Sequence, residues 1–199
     1  MPQSDTSSST SLSLIGRVRQ HQPEAWVHFT QLYGPLVYRW TRRAGLQHAD
    51  IVDVVQEVFR AVADSIERYD RGRGTGFRGW LWGIARNKLR DHQRRKLVQP
   101  TAVGGTDAMR RFAHVADALL QSDDEPEPEL SDRLLVHRAL DLIRSEVEPQ
   151  TWQAFWRLAV EGHPVTEISR DLHMTDKAVR QAKYRVMRRL RSELDGQFD

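Results

Sequence analysis

A helical spacing of apolar residues, repeated along most of the chain, is the feature that most restricts its fold. Between residues 26 and 96, apolar side chains return every three or four positions, as on one face of an α-helix, and few segments alternate as a strand does. One helix is predicted over residues 26–40, with a bend tolerated at Gly34 and Pro35. A second is predicted from about residue 49 to 68. The pattern predicts an all-α fold.

The segment over residues 77–96 is predicted to form a third helix and carries an unusual mixture of side chains. It follows a turn with three glycines and begins with Phe77, Trp80 and Trp82. Six cations and one anion follow over residues 86–96. Aromatic rings stack on unpaired bases for roughly 1–3 kcal/mol each, and a cationic groove follows the phosphates. The mixture therefore suits single-stranded nucleic acid, although a tryptophan at helical spacing is more often part of the core.

Helical spacing stops after the third predicted helix and returns near the C-terminus. From residue 98 to about 130 it gives way to glycine, polar residues and a run of carboxylates with two prolines, although residues 109–120 could form a short helix. We therefore predict two small helical domains joined by a flexible acidic linker. The predicted boundaries are a disordered tail (1–22), a first domain (23–96), the linker (97–130), a second domain (131–195) and a tail (196–199).

The net charge of +3 is divided into blocks along the sequence. Residues 176–191 hold seven cations and one anion, forming a second basic block after the one at residues 86–96. The acidic run at residues 123–132 lies between them. Two basic helices far apart in sequence indicate two separate contacts with a polyanion, from which the acidic run would be repelled. The acidic run is also a candidate for binding the basic surface of its own molecule, which would give a closed, self-screened state.

Residues 163–190 fit a helix-turn-helix. Ile168 lies on the inner face of the first helix, Met174 can pack into the corner, and Thr175 is a good N-cap for the second helix. His173 stands where the turn usually has glycine, so a left-handed backbone there carries a cost. The outward residues suit a major groove: Asp176, Lys177, Arg180, Gln181, Lys183 and Tyr184. A purely structural helical hairpin remains the alternative.

Composition argues against several other classes of protein. No segment approaches the ~18 consecutive apolar residues of a membrane span, and the N-terminus lacks a basic region followed by an apolar core. With no cysteine there is neither a disulfide nor a thiolate metal site. We expect a cytoplasmic protein with no membrane contact and no cofactor.

Together these segments resemble the bacterial RNA polymerase sigma factors of the small extracytoplasmic-function (ECF) group of the sigma-70 family. The sequence ADIVDVVQEVFRAV (49–62) is similar to the family's polymerase-binding helix, and FRGWLWGIARNKLRDHQRR (77–95) to its promoter-melting and minus-ten-reading segment. Residues 147–194 are similar to its minus-thirty-five-binding domain. The resemblance covers nearly all of residues 23–194, and the linker is too short for the extra domain of larger sigma factors.

The resemblance implies a role for each motif. Asp50, Asp53, Gln56 and Glu57 would bind the clamp of the largest polymerase subunit, with the flap of the second subunit as a further contact. The loop over residues 71–77 would capture a flipped promoter base. The minus-ten and melting residues would be Arg71, Arg73, Phe77, Arg78, Trp80, Arg86, Asn87, Arg90, Asp91, Arg94 and Arg95. The minus-thirty-five residues would be Thr175, Asp176, Lys177, Arg180, Gln181, Lys183, Tyr184 and Arg188.

The function implied is that of a promoter-specificity subunit without catalytic activity. It would bind core RNA polymerase and promoter DNA, both double- and single-stranded, and help to open the strands. An anti-sigma protein is a further partner that the family often uses.

Two rival functions follow from parts of the sequence. A helix-turn-helix regulator acting without polymerase explains residues 163–190 but gives no purpose to residues 77–96. A metal-dependent nuclease could use Asp50, Asp53 and Glu57, which are spaced three and four apart. No histidine lies among those carboxylates, so we expect no metal; a solvated face is the other alternative.

Overall fold

A computed structural model describes residues 13–70, 72, 76–98 and 120–194. These residues form α-helices and no strand, which confirms the predicted all-α fold. The helices are α1 (Leu14–Arg19), α2 (Pro23–Arg43), α3 (His48–Ser65), α4 (Gly76–Val98), α5 (Pro128–Glu146), α6 (Pro149–Ala159), α7 (Val165–Asp171) and α8 (Asp176–Glu193), with a 3-10 turn at Ile66–Arg68.

Helix α2 shows how local sequence sets the ends of these elements. Pro23 occupies its first turn, where the missing N–H costs nothing. The helix continues unbroken through Gly34 and Pro35. It ends at Ala44 and Gly45, and Gly45 has φ 74° and donates its N–H to Arg42 O at 3.0 Å. A left-handed glycine after the last turn is a common way to stop a helix.

The main core lies between α2, α3 and α4. Its aromatic centre is fully buried and consists of Phe29, Tyr33 and Phe77, with the Phe29 and Phe77 ring centroids 5.7 Å apart and nearly perpendicular. Trp40 and Trp82 form a second edge-to-face pair, with centroids 5.4 Å apart. Such pairs stabilise beyond their buried area by about 0.5–1.5 kcal/mol. The core fixes the orientation of α4, and with it the faces on which the cations of that helix lie.

The two predicted domains contact each other in the structure. Leu135 and Ala139 of α5 are fully buried in the same core as α2. On the far side α1 reaches α8, where Arg17 Nη2 lies 3.2 Å from Glu193 Oε1. Glu193 is only 2% exposed and also lies 3.1 Å from Arg189. A buried carboxylate held by cations from two helices therefore joins α1 to α8.

Helices α6, α7 and α8 form the remainder of the fold. Ile168, Val179 and Ala154 are buried together where α7 meets α8, and Phe155 and Val186 are buried with Ile143 where α6 meets α5 and α8. The prediction of a disordered tail over residues 1–22 is wrong for its described part, because residues 14–19 form α1 and bury Leu14 and Val18 in the core. The predictions for Arg71, Arg73, residues 1–12, the C-terminal tail and most of the helix suggested at residues 109–120 lie outside the described residues.

Candidate nucleic-acid interface

The start of α8 has the local geometry that its sequence predicts. Thr175 Oγ1 accepts a hydrogen bond from Ala178 N at 3.1 Å and so caps the helix. Val179 is buried against α7, and Met174 packs on the same apolar cluster. His173 adopts φ 51° in the turn, the left-handed conformation expected at that position. The turn and cap fix how α8 leaves α7.

The polar face of α8 is open to solvent. Every residue predicted on it is exposed except Asp176, which is half-buried; the exposed set is Thr175, Lys177, Arg180, Gln181, Lys183, Tyr184 and Arg188. Tyr184 is 64% exposed, and the Arg188 guanidinium lies 5.9 Å from its ring centroid. This distance suits a cation–π contact. Side chains that reach outward from a capped helix with a buried opposite face can approach a groove.

Arg157 of α6 positions α7 beneath that face. Its Nη2 lies 3.1 Å from Glu167 Oε1 and 2.9 Å from Asp171 Oδ2, both on α7. A hydrogen bond from Arg157 holds the pKa of Asp171 below its usual range. Sequence reasoning missed Arg157; its partners lie ten and fourteen residues away, beyond the i, i+4 spacing that a helix pattern reveals.

The predicted DNA-binding residues of α4 divide into two groups by their contacts. Asn87, Asp91 and Arg94 are exposed, and Asp91 and Arg94 line a groove of about 850 Å³ between α3 and α4. The groove is lined by Glu57, Arg60, Ala61, Asp64, Lys88, Asp91, Arg94 and Arg95. It brings together Asp91, Arg94 and Arg95, three of the predicted minus-ten residues. Arg60 and Lys88 are lining cations that the predicted set of site residues omitted.

The second group of α4 cations is bound by the acidic part of the chain. Arg78 pairs with Glu125 and Asp132, and Arg86 pairs with Asp123 and donates to Ser122 O at 2.7 Å. Arg90 donates to Leu120 O. The side chains of Arg78 and Arg86 are 17% and 14% exposed. These predicted DNA-binding residues therefore have intramolecular partners.

The aromatic residues of α4 require one correction. Phe77 was predicted to contact the unpaired strand, but it is fully buried among Phe29, Tyr33 and Tyr69. A ring enclosed by other rings cannot stack on a base without unfolding its surroundings. Trp80 is partly exposed, 5.2 Å from the Tyr69 ring, and Trp82 is buried. Of the three aromatics, only Trp80 offers a surface to a ligand.

The predicted polymerase-binding residues lie on α3, beside α4. Asp53 and Gln56 are exposed. Asp50 pairs with Lys96 of α4, and Glu57 accepts from Arg95 Nη2 at 2.9 and 3.0 Å. His92 lies between them, 3.6 Å from Asp50; burial lowers its pKa, and Asp50 opposes the effect. Of the four predicted polymerase-binding side chains on this surface, Asp50 and Glu57 are ion-paired with α4, and Asp53 and Gln56 are exposed.

Among the residues that the structure describes, no group of three or more His, Cys, Asp or Glu side chains could hold a metal ion. No helix of those residues is long and apolar enough to cross a membrane.

Comparisons with known proteins agree on one family. Residues 29–98 match the family model described as Sigma-70 region 2. The chain is 30% identical over 139 residues to the RNA polymerase sigma factor NccH of Alcaligenes xylosoxydans xylosoxydans, covering 69% of this chain and 70% of that protein. It is 25% identical over 163 residues to CnrH of Cupriavidus metallidurans, covering 82% and 83%. It is 26% identical over 191 residues to the ECF RNA polymerase sigma factor BldN of Streptomyces coelicolor, covering 95% and 67%.

Proposed function

The chain belongs to the RNA polymerase sigma factors, in the ECF group of the sigma-70 family, and from that premise we propose how it selects promoters. Helix α8 contacts the minus-thirty-five element as duplex, through Arg180, Gln181 and Lys183. Helix α4 and the groove beside α3 contact the minus-ten element as it opens. The protein is an initiation factor and not an enzyme.

The observation that carries this proposal is the presence of two separate surfaces that present cations. One is the exposed polar face of α8, which is free of intramolecular ion pairs at Lys177, Arg180 and Lys183 among the described residues. The other is the groove at Arg94 and Lys88. Duplex and single strand have different shapes, so a protein that binds both needs two sites.

Base capture offsets the cost of strand opening in this proposal. Flipping a base costs a few kcal/mol, and stacking on an aromatic side chain returns about 1–3 kcal/mol. Trp80 takes this role instead of the buried Phe77. Arg94 and Lys88 hold the phosphates, while Asn87 and Asp91 offer hydrogen-bonding groups to the bases.

Polymerase is bound through the exposed edge of α3, at Asp53 and Gln56. We place the protein in the cytoplasm, where the polymerase is, and include an anti-sigma protein among its partners. The test is promoter-dependent transcription with purified core polymerase. Specific transcripts are expected only when this chain is added, whereas a regulator acting without polymerase would bind duplex DNA but give no such transcripts.

A further inference from the structure

The acidic segment at residues 122–132 lies on the part of α4 that carries Arg78 and Arg86, which the resemblance assigns to the minus-ten element. Four of its carboxylates hold arginines of the first unit: Asp123 pairs with Arg86, Glu125 with Arg78, and Glu127 with Arg39 and Arg43. Asp132, the fourth, is a second partner of Arg78. A polyanion attracted by the arginines of α4 would repel this acidic run. The run itself is bound to those arginines, in the place that the polyanion would occupy.

Glu125 anchors this segment most firmly. Its side chain is 7% exposed, and burial raises its pKa, against the opposing effects of Ser131 and Arg78. Burying a carboxylate is costly unless a cation compensates for the lost water. Arg78 supplies that charge and is itself only 17% exposed. The contact is therefore a packed, desolvated pair and not a pair of side chains meeting in solvent.

The backbone of the segment supports the same conclusion. Glu127 has φ 51° and ψ 62°, a left-handed conformation, and stands between Pro126 and Pro128. A residue other than glycine pays for that conformation, and one before proline is disfavoured in helical conformations. Such strain persists when surrounding contacts hold it. Arg39 and Arg43, one turn apart on α2, are the contacts that hold Glu127 here.

We propose that residues 122–132 form an autoinhibitory segment that competes with single-stranded DNA for the arginines of α4. In the closed state Arg78 and Arg86 are occupied by the segment and Arg90 by Leu120 just before it, while the groove at Lys88 and Arg94 stays open. Strand binding displaces the segment. The proposal rests on the proposed function, since it assumes that α4 binds the strand.

Docking is tested first, without DNA. Hydrogen–deuterium exchange of peptides covering residues 120–130 is compared between the full chain and R39Q/R43Q, with R42Q/R133Q as the control that removes two exposed cations. Exchange across residues 123–127 should rise in R39Q/R43Q and stay unchanged in the control. Equal exchange in the two variants would show that these ion pairs do not hold the segment, and would overturn the proposal.

Competition is tested next, by fluorescence anisotropy with a labelled single-stranded DNA oligonucleotide of about 20 nucleotides, a length that exceeds one binding site. The variant E125Q/E127Q/D132N removes three paired carboxylates, and D124N/E129Q/D141N removes three exposed ones. The first should bind on the order of tenfold more tightly than the full chain, because its competent state is no longer a minor one. Its affinity should also fall more steeply with salt, since more counterions are released.

Each outcome separates this proposal from the proposed function. Equal tightening by both variants would reduce the effect to net charge and overturn autoinhibition, while leaving the DNA-binding function in place. Failure of every variant to bind the oligonucleotide at low salt would overturn autoinhibition and strand binding by α4 of the isolated chain. Promoter-dependent transcription by E125Q/E127Q/D132N would then identify a sigma factor that binds no isolated strand. Loss of that transcription in the parent chain as well would indicate a protein of another function.

Discussion

Arg95 of α4 donates to both carboxylate oxygens of Glu57 on α3, at 2.9 and 3.0 Å. The pair joins a residue assigned to the opening strand with one assigned to polymerase. In the free protein each of these two side chains is therefore engaged by the other, and the proposed roles imply that the pair opens when either residue binds its own partner. The surfaces that we propose for polymerase and DNA are therefore contiguous, and we expect binding at one to change the charge available at the other.

The first prediction concerns this pair. Glu57→Gln should tighten binding of single-stranded DNA by the isolated chain by less than about fivefold, because half-exposed ion pairs are worth roughly 0–1 kcal/mol. It should also weaken capture of core polymerase. Asp64→Asn, on the same helix, removes the same charge without releasing Arg95. Anisotropy and co-purification measure the two effects, and an identical response of both variants would contradict the assigned role.

The second prediction separates polymerase binding from folding. Asp53 and Gln56 are exposed on α3 and contribute nothing to the core. The D53A/Q56A variant should lose association with core polymerase while its circular dichroism spectrum stays unchanged. Its free energy of unfolding, measured in urea, should stay within about 0.5 kcal/mol of the parent value. Asp64→Ala serves as the control. Unchanged co-purification of D53A/Q56A would remove these residues from the interface.

The third prediction addresses base selection by α8. Arg180 is exposed on the polar face, and Arg185 is an exposed arginine on a different side of the same helix. Arg180→Ala should lose about 1–3 kcal/mol of discrimination between the preferred upstream duplex and its point variants. Arg185→Ala should lose none. The preferred duplex is first selected from a random pool. If Arg180→Ala weakens binding to all duplexes equally, Arg180 contacts a phosphate and does not read a base.

The fourth prediction concerns the turn between α7 and α8. His173 has φ 51° and an exposed side chain, so its contribution is set by the backbone. His173→Val should lower the free energy of unfolding by about 1–3 kcal/mol, because a β-branched residue fits a left-handed backbone poorly. His173→Gly should change it by less than about 1 kcal/mol, since relief of strain offsets added freedom in the unfolded chain. Equal losses in urea unfolding would refute the backbone explanation.

The fifth prediction is a pH dependence at the junction of α3 and α4. Burial lowers the pKa of His92, which faces Asp50, Glu57, Arg95 and Lys96. The unfolded chain therefore takes up this proton at higher pH than the folded chain. The contribution of neutral His92 to stability is full above its ordinary pKa of about 6.5 and is lost as the pH falls towards the lowered folded value.

His92→Gln should accordingly reduce the loss of stability between about pH 7.5 and 5.5, the range in which histidine titrates. The exposed His137 provides the control variant, His137→Gln. Urea unfolding at the two pH values measures the effect. A pH dependence that is unchanged in His92→Gln would show that other groups cause it.

Much of the local structure could be predicted from particular residues. Thr175 marks the start of α8, His173 the left-handed turn, and the spacing of Ile168 and Val179 the buried face between α7 and α8. Each signal acts over a few residues, through a hydrogen bond, a dihedral angle or one turn of helix. The sequence therefore contains the full information for such features within a short window.

Phe77 shows where that reasoning stops. An aromatic residue at helical spacing suits both a core and a stacking platform, and the chemistry of the ring does not distinguish them. Its neighbours Phe29 and Tyr33 come from a different helix more than forty residues earlier. Only the packing of α2 on α4 shows that the ring is enclosed.

By itself the sequence determined an all-α protein with two cationic helices, a capped α8 and an acidic run, since helix spacing, caps and charge blocks are local properties. Tertiary structure decided which charges meet. Glu127 reaches Arg39 across 88 positions, and Glu125 reaches Arg78 across 47. An ion pair depends on distance in space and on loss of water around both partners. Neither quantity exists until the helices have packed.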